Sequence, residues 1–561
     1  MEEASSRKLR IQWIGFVLGP VLAILSLLIL PTEYELQSTD DKSKADSTST
    51  SPQQPESGSG IGILPVDQQS ETGTDILPEE PPQNPVRPSA KRQFSWGGRA
   101  TLAVMVWMGV WWLTEAIEIS ATALLPLVVF PLLGIADIKT AAQGYAHYLI
   151  FLYFGGFIIA LSMERWLLGK RIALMTLKVI GTSAPMMILG FMIVTAFLSA
   201  FVSNTATTAM MLPIAISTIA LLKSQGGSEA SGGQVDRFGT CLLLCIAYGA
   251  SIGGIMTIIG TPTNAFLIGF LRDNIDEAYQ LEFTFASWLP IGASLVLVLL
   301  PIMYFVMTKF LFPIGDVRLS GGSQMIESEL TKLGSVRRGE WITLAVFCCT
   351  IMLWLTRPLL TKISFEWDGA TQTPLAGLTD TGVAMLAALA LFLIPVDWKK
   401  REFTMDWKTA NKMPWGILIL FGGGLSLAAA VKANGVAEFM GSYAAQVGSM
   451  PLILSVLLVT TAIVFLTELT SNVATTTSLV PVLAAIAPGI DIHPYLLIIP
   501  ATIAASCAFM LPVATPPNAI VFGSGEISLP QMVRAGFVLN LISLVVVTLL
   551  AILVIQPYLG L

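Results

Sequence analysis

Ser203-Asn204-Thr205-Ala206-Thr207-Thr208, followed by Pro213, recurs as Ser471-Asn472-Val473-Ala474-Thr475-Thr476, followed by Pro481. Each copy sits in the middle of an apolar block, residues 185–222 and 451–486. Both blocks are too long for a single crossing, which takes about 20 residues. A polar interruption at that depth stops one helix and starts another, so each block reads as a re-entrant helical hairpin. Broken backbone there is tolerated only where it is buried in protein or lines a cavity.

Two further echoes flank these. Phe154-Gly155-Gly156 returns as Phe421-Gly422-Gly423, and Gly260-Thr261-Pro262-Thr263-Asn264 returns as Ala514-Thr515-Pro516-Pro517-Asn518. The offsets are 267 and 268 residues for the glycine and Ser-Asn pairs but 254 for the Thr-Pro pair. A polar stretch at residues 223–236 lengthens the first half only and accounts for the deficit. Echoes kept in order and separated by an odd number of crossings define an inverted-topology repeat, the architecture of secondary transporters.

The composition agrees. Of 561 residues, 54% are apolar and 12% charged, about half the charge a soluble protein carries. The chain is therefore an all-α polytopic membrane protein. The net charge of −6 says little once most of the mass is in lipid, and nothing resembles a nucleic-acid-binding face, so no nucleic-acid partner is expected. All five cysteines (Cys241, Cys245, Cys348, Cys349 and Cys507) lie in apolar segments, so they read as small buried thiols and not as a disulfide framework. His147 and His493 stand at segment ends with no Cys/His pairing, so no transition-metal site and no cofactor are expected.

Residues 1–30 read as a cytoplasmic tip and a retained first transmembrane helix, since the apolar run at 11–30 follows Arg7, Lys8 and Arg10 and is long enough to span. Residues 31–97, rich in Ser, Thr, Asp, Gln and Pro, read as a disordered linker on the outer face. The first repeat then takes residues 98–338, with its hairpin at 185–222, and the second residues 339–561, with its hairpin at 450–488. Basic clusters at 165–178, 318–338 and 399–412 fall on one side, the cytoplasm, if both hairpins enter and leave on the same side.

Ser, Asn and Thr are good N-caps for the second helix of each hairpin. Capping explains neither the duplication nor the paired Thr-Pro breaks. If tips and breaks meet near the midplane, freed carbonyls with Ser, Asn and Thr oxygens make hard-oxygen cages suited to sodium, and helix N-termini face an anion. Pro262 and Pro516 remove backbone donors, as an unwound helix needs. Across residues 197–222, 247–271, 463–486 and 496–522 there is no Lys or Arg, and Glu468 is the one acid. A dianion held there has no fixed counter-ion, so bound cations must supply the charge. Glu468 reads as structural, because a carboxylate beside an anionic substrate would oppose binding.

These tips, with CAFMLPVATPPNAIVFGSG at residues 507–525, resemble the divalent anion/sodium symporter family, the sodium-coupled di- and tricarboxylate carriers. The resemblance covers residues 99–561. It implies about eleven transmembrane helices plus two re-entrant hairpins, scaffold and elevator-type transport domains, and a homodimer in the plasma (inner) membrane. It also implies one sodium site at Ser199, Ser203, Asn204 and Gly260, and a repeat mate at Thr467, Thr470, Asn472 and Ala514. Substrate carboxylates would meet Ser203, Asn204, Thr205, Thr261 and Pro262 from one half, and Ser471, Asn472, Thr515 and Pro516 from the other. Val473 departs from the doubled Ser-Asn-Thr pattern and leaves its end of the pocket more apolar.

The implied activity is sodium-coupled symport of a divalent anion, a C4-dicarboxylate such as succinate, malate or fumarate. A sulfate or citrate symporter, a sodium-independent dicarboxylate exchanger and an anion channel share the pattern and stay open. Gly249-Ala250-Ser251-Ile252-Gly253 fits the G-x-S-x-G hydrolase pattern. That motif works on a strand-to-helix turn with a His partner. Here it lies in an apolar helix, where small residues serve close packing. An enzyme is not expected.

Overall fold

Lipid offers the backbone no hydrogen-bond partners, so long apolar runs must satisfy their own N–H and C=O groups as helices. The computed structural model describes residues 2–36, 90–181, 183–225, 232–314, 322–367, 370–446, 448 and 450–561. Among them, nine helices are long and apolar enough to cross a bilayer, and five shorter apolar helices accompany them.

One unit spans residues 31–94, of which 31–36 and 90–94 are described. Most of the expected linker, residues 37–89, lies outside the described residues. The ends of this segment pair: β1 (Glu33–Leu36) and β2 (Ala90–Gln93) form an antiparallel ladder with Tyr34 opposite Arg92. The second unit holds residues 1–30 and 95–561. It opens with α1 (Glu2–Ile29) packed on α2 (Trp96–Thr114), where the Phe16 ring stacks on Trp111 at 5.4 Å between centroids.

The two halves then run in parallel order. In the first, α3 (Ile119–Thr122), α4 (Leu125–Leu133) and α5 (Ile138–Gln143) lead to α6 (Tyr148–Arg165), α7 (Leu168–Ile180), the helix pair α8 (Ala184–Ser199) and α9 (Asn204–Gln225), the broken pair α10 (Gly232–Gly254) and α11 (Pro262–Asp273), and α12 (Phe285–Phe305). After α13 (Gly322–Leu333), the second half gives α14 (Arg338–Leu360), β3 (Phe365–Trp367), β4 (Ala370–Gln372), α15 (Asp380–Leu393), β5 (Pro395–Asp397), β6 (Glu402–Phe403) and α16 (Trp407–Ala410). It continues with α17 (Trp415–Ala433), α18 (Val436–Ala445), the pair α19 (Leu452–Thr467) and α20 (Asn472–Ile486), the broken pair α21 (Tyr495–Ala505) and α22 (Pro516–Phe522), α23 (Leu529–Leu550) and α24 (Gln556–Leu559).

A further echo marks the repeat. Asp137 caps α5 by accepting from Thr140 N (2.8 Å), and Asp406 caps α16 by accepting from Thr409 N (2.7 Å), each within an Asp-x-Lys-Thr run. The halves interlock: α9 packs on α22 and α20 on α11, α6 packs on α15 and α17 on α4. The duplicated Phe-Gly-Gly runs serve these last contacts. A Cβ on Gly155 would strike the Ala384 backbone in α15, and one on Gly423 the Ala123 backbone in the turn between α3 and α4.

The three basic clusters come together through ion pairs at one end of the bundle. Arg165 pairs with Asp406 (2.7 Å), Lys170 with Glu329 (3.0 Å), Lys178 with Glu327 (2.8 Å), and Arg171 with the buried Glu340. The Lys178 and Thr140 contacts hold the Glu327 and Asp137 carboxyls below their ordinary range. Residues 168–180 form a helix, because Leu168, Leu174 and Leu177 make one buried face while Lys170 and Lys178 turn to α13 and Arg171 to Glu340 of α14. All five cysteines are free, but Cys348 and Cys349 are exposed on α14, not buried. In α10, Gly249 lies 3.3 Å (as a Cβ) from Met192 O, and a Cβ on Gly253 would strike Ala196, so the Gly-x-Ser-x-Gly run serves packing on α8.

Candidate functional site

The four polar motifs converge where the halves interlock. The long helix of each half is unwound, over residues 255–261 in the first and 506–515 in the second. Thr263 Oγ1, just past the first break, lies 2.9 Å from Ser506 Oγ at the start of the second. The breaks therefore meet.

Each break is held by the asparagine that follows its Thr-Pro step. Asn264 Nδ2 donates to Ile255 O (3.0 Å) and Thr257 O (2.9 Å), and Asn518 Nδ2 donates to Ala508 O (3.2 Å) and Leu511 O (3.0 Å). An unwound turn exposes carbonyls that the helix would have paired, and a buried carbonyl without a donor is costly. In the first break Trp288 Nε1 donates to Ile255 O (3.1 Å) and Tyr153 Oη to Ile258 O (3.0 Å). In the second the problem is the opposite one. Three more residues are unwound, and Glu468 takes up their N–H groups: Oε1 accepts from Phe509 N (2.7 Å) and Met510 N (2.9 Å), and Oε2 from Leu511 N (3.0 Å). The residue at its place in the first half is Ala200. Glu468 thus ties the second break together.

The tips carry the same geometry twice. Ser199 Oγ lies within donating distance of Asn204 Oδ1 (2.6 Å) and Ala250 O (2.8 Å). Thr467 Oγ1 lies likewise near Asn472 Oδ1 (2.7 Å) and Ala505 O (3.0 Å). One hydroxyl proton serves two acceptors in each case, so three oxygens converge with lone pairs to spare. Such a spot suits a hard cation. Gly254 and Gly260 complete the first set: a Cβ on Gly254 would strike the Asn204 side chain, and one on Gly260 would strike Gly254 O. The chain can approach this closely only because both residues lack a side chain.

The remaining expected ligands are placed as follows. Ser203 Oγ accepts from Ala206 N (3.2 Å) as the N-cap of α9, so its hydroxyl is committed locally. The Thr470 hydroxyl turns away from Asn472, toward Leu466 O (3.0 Å) and Thr475 Oγ1 (2.7 Å). Ala514 is buried in the second break beside Thr515, whose hydroxyl accepts from Asn518 N (3.3 Å) to cap α22. Thr261 is buried and Pro262 half-buried, Ser203, Thr205 and Pro516 are exposed, and Asn204, Ser471, Asn472 and Val473 are half-buried. The breaks and tips thus combine a buried oxygen set with an accessible rim. The N-termini of α9, α11 and α20 start at this rim, each carrying roughly half a unit of positive charge.

Asn264, Asn518, Thr257, Tyr153 and Trp288 stand outside the ligand set that the resemblance implies, yet they shape the breaks. The first two were visible in the duplicated Thr-Pro motif, but Tyr153 and Trp288 act from distant segments and left no local signal. Among the described residues no three His, Cys, Asp or Glu side chains group as a metal site.

Residues 93–560 match the family described as the sodium:sulfate symporter transmembrane region. The chain is 40% identical over 464 residues to the sodium-dependent dicarboxylate transporter SdcS of Staphylococcus saprophyticus subsp. saprophyticus, covering 82% of this chain and 87% of that one. It is 39% identical over 466 residues to the SdcS of Staphylococcus aureus strain USA300, covering 83% and 87%. The crystal structure of the Alcanivorax borkumensis YdaH transporter is similar in fold, with a TM-score of 0.54 at 13% identity over 82% of this chain and 98% of that chain. With nearly the whole of its membrane region matched and its duplicated tips and breaks interlocked, the chain belongs to the sodium:sulfate symporter transmembrane family.

Proposed function

We propose that this chain is a secondary active transporter that couples sodium to the symport of a divalent anion, a C4-dicarboxylate of the succinate, malate and fumarate type. The observation that carries the reading is the duplicated oxygen set, Ser199–Asn204–Ala250 and Thr467–Asn472–Ala505, in segments that hold no basic side chain. Oxygen cages bind sodium. Asn204, Thr205, Asn472 and the two Thr-Pro steps then bind the carboxylates against helix N-termini and bound cations. The names of the similar proteins favour a dicarboxylate over sulfate as cargo. Catalysis of a covalent reaction has no place in this reading.

The protein works as a homodimer in the plasma (inner) membrane with its N-terminus in the cytoplasm. The hairpins and breaks move as an elevator-type transport domain against a scaffold. The test is uptake of labelled succinate into proteoliposomes. Uptake driven by an inward sodium gradient, and resistant to excess sulfate, is the expected result. Sulfate competing at equal concentration would make sulfate the cargo, and counterflow without sodium would make the protein an exchanger.

A further inference from the structure

We propose a third sodium site behind the second break, formed by the Glu468 carboxylate, the Asn540 side-chain carbonyl and the Ser543 hydroxyl. The proposal rests on the symport reading above, to which it adds one coupling ion beyond the two duplicated cages.

Glu468 is 3% exposed and the one acid in the four motif segments. Besides the three backbone donors of the second break, its Oε1 accepts from Asn540 Nδ2 (2.7 Å). All four donors are neutral N–H groups. Three of them fall on Oε1 and one on Oε2, so Oε2 keeps a lone pair free; none adds positive charge, and among the described residues Glu468 makes no ion pair. An uncompensated carboxylate in a low-dielectric interior is expensive, so this position calls for a cation.

With Glu468 ionised, Asn540 adds a second demand. It is wholly buried on α23. The carboxylate can only accept, so the hydrogen bond to Glu468 fixes which end of the amide faces it. Asn540 Oδ1 is left buried with no hydrogen-bond partner among the described residues. A buried acceptor without a donor is rare, and it is met by a bound ion or water. Water would satisfy Oδ1 and leave the charge on Glu468. A cation meets both. Ser543 is also fully buried, three residues on along the same face of α23, with its hydroxyl beside the Cys507 thiol. The oxygens are hard ligands of the kind sodium takes. α23 comes this close because residue 536 is glycine: a Cβ there would strike the Phe509 carbonyl.

The site belongs to the second half alone. In the first, Ala200 stands in place of Glu468 and offers only its carbonyl, which accepts from the Thr257 hydroxyl. Glu468 adjoins Thr467 and grips residues 509–511, so an ion here is tied to the second duplicated cage through both.

Equilibrium binding of radioactive sodium to the purified full-length protein, counted per protomer at saturating succinate, tests this. Wild type should bind three ions. Asn540→Leu, similar in volume and unable to ligate, should bind two, with its thermal midpoint measured alongside. Should that variant fail to fold, Ser543→Ala keeps the packing nearly intact, and it should weaken one of the three ions several-fold and leave the other two unchanged. A wild-type count of two, or three unaltered ions in either folded variant, overturns the site and leaves the symport reading standing. A wild-type protein that binds no sodium overturns the symport reading itself.

Discussion

Asn204 and Asn472 do the same work 268 residues apart: each amide oxygen lies beside a hydroxyl across the tip, Ser199 or Thr467, that also faces a carbonyl of the broken helix. As a structural element alone, such a hydrogen bond contributes about 1 kcal/mol. As a cation ligand it is indispensable. Asn204→Ala and Asn472→Ala should therefore each abolish sodium-driven succinate uptake while the proteins still insert and elute as wild type. Either variant transporting normally over the full sodium range would reduce its tip to a helix cap. These asparagines were legible because polar residues in an apolar block have few reasons to be there. Where the Thr470 hydroxyl points was not legible: it meets Leu466 O and Thr475 Oγ1, and spacing does not reveal which way a hydroxyl turns.

At the scale of elements, hairpins and breaks could be read from mid-block polarity and from Pro262 and Pro516, which cannot donate to a helix. The length of each break could not. It depends on what satisfies the freed groups, and those partners come from elsewhere: Tyr153 and Trp288 for the first, Glu468 for the second. The amphipathic α7 was hidden for a different reason, since its basic residues broke the apolar run by which crossings are found. Close approach of neighbouring helices at the breaks gives a direct test. A Cβ on Gly536 would strike Phe509 and Met510, whereas one on Gly109 in α2 meets nothing within 4 Å. Gly536→Ala should cost about 1–3 kcal/mol through overpacking, seen as a lowered thermal midpoint in detergent. Gly109→Ala should be neutral or stabilising by up to about 1 kcal/mol, because alanine is the better helix former. Equal midpoints for the two variants would mean that α23 does not press on the second break.

For the molecule as a whole the governing quantity is charge. The motif segments bring no Lys or Arg, and one buried carboxylate, to a place meant for a dianion. Helix ends supply roughly half a unit each, and only over the first turn. A succinate dianion held here thus depends on sodium to a degree that a site with a fixed arginine would not. Sodium bound in the cages lowers the cost of bringing in the anion, and by reciprocity the anion tightens sodium. Initial uptake at fixed, low succinate should therefore rise with sodium more steeply than first order, and the succinate concentration for half-maximal uptake should climb as sodium is withdrawn. A hyperbolic dependence on a single sodium would remove the second cage from the mechanism. Uptake indifferent to sodium would mean that the anion's charge is met some other way, and the duplicated oxygen sets would be left as caps on broken helices.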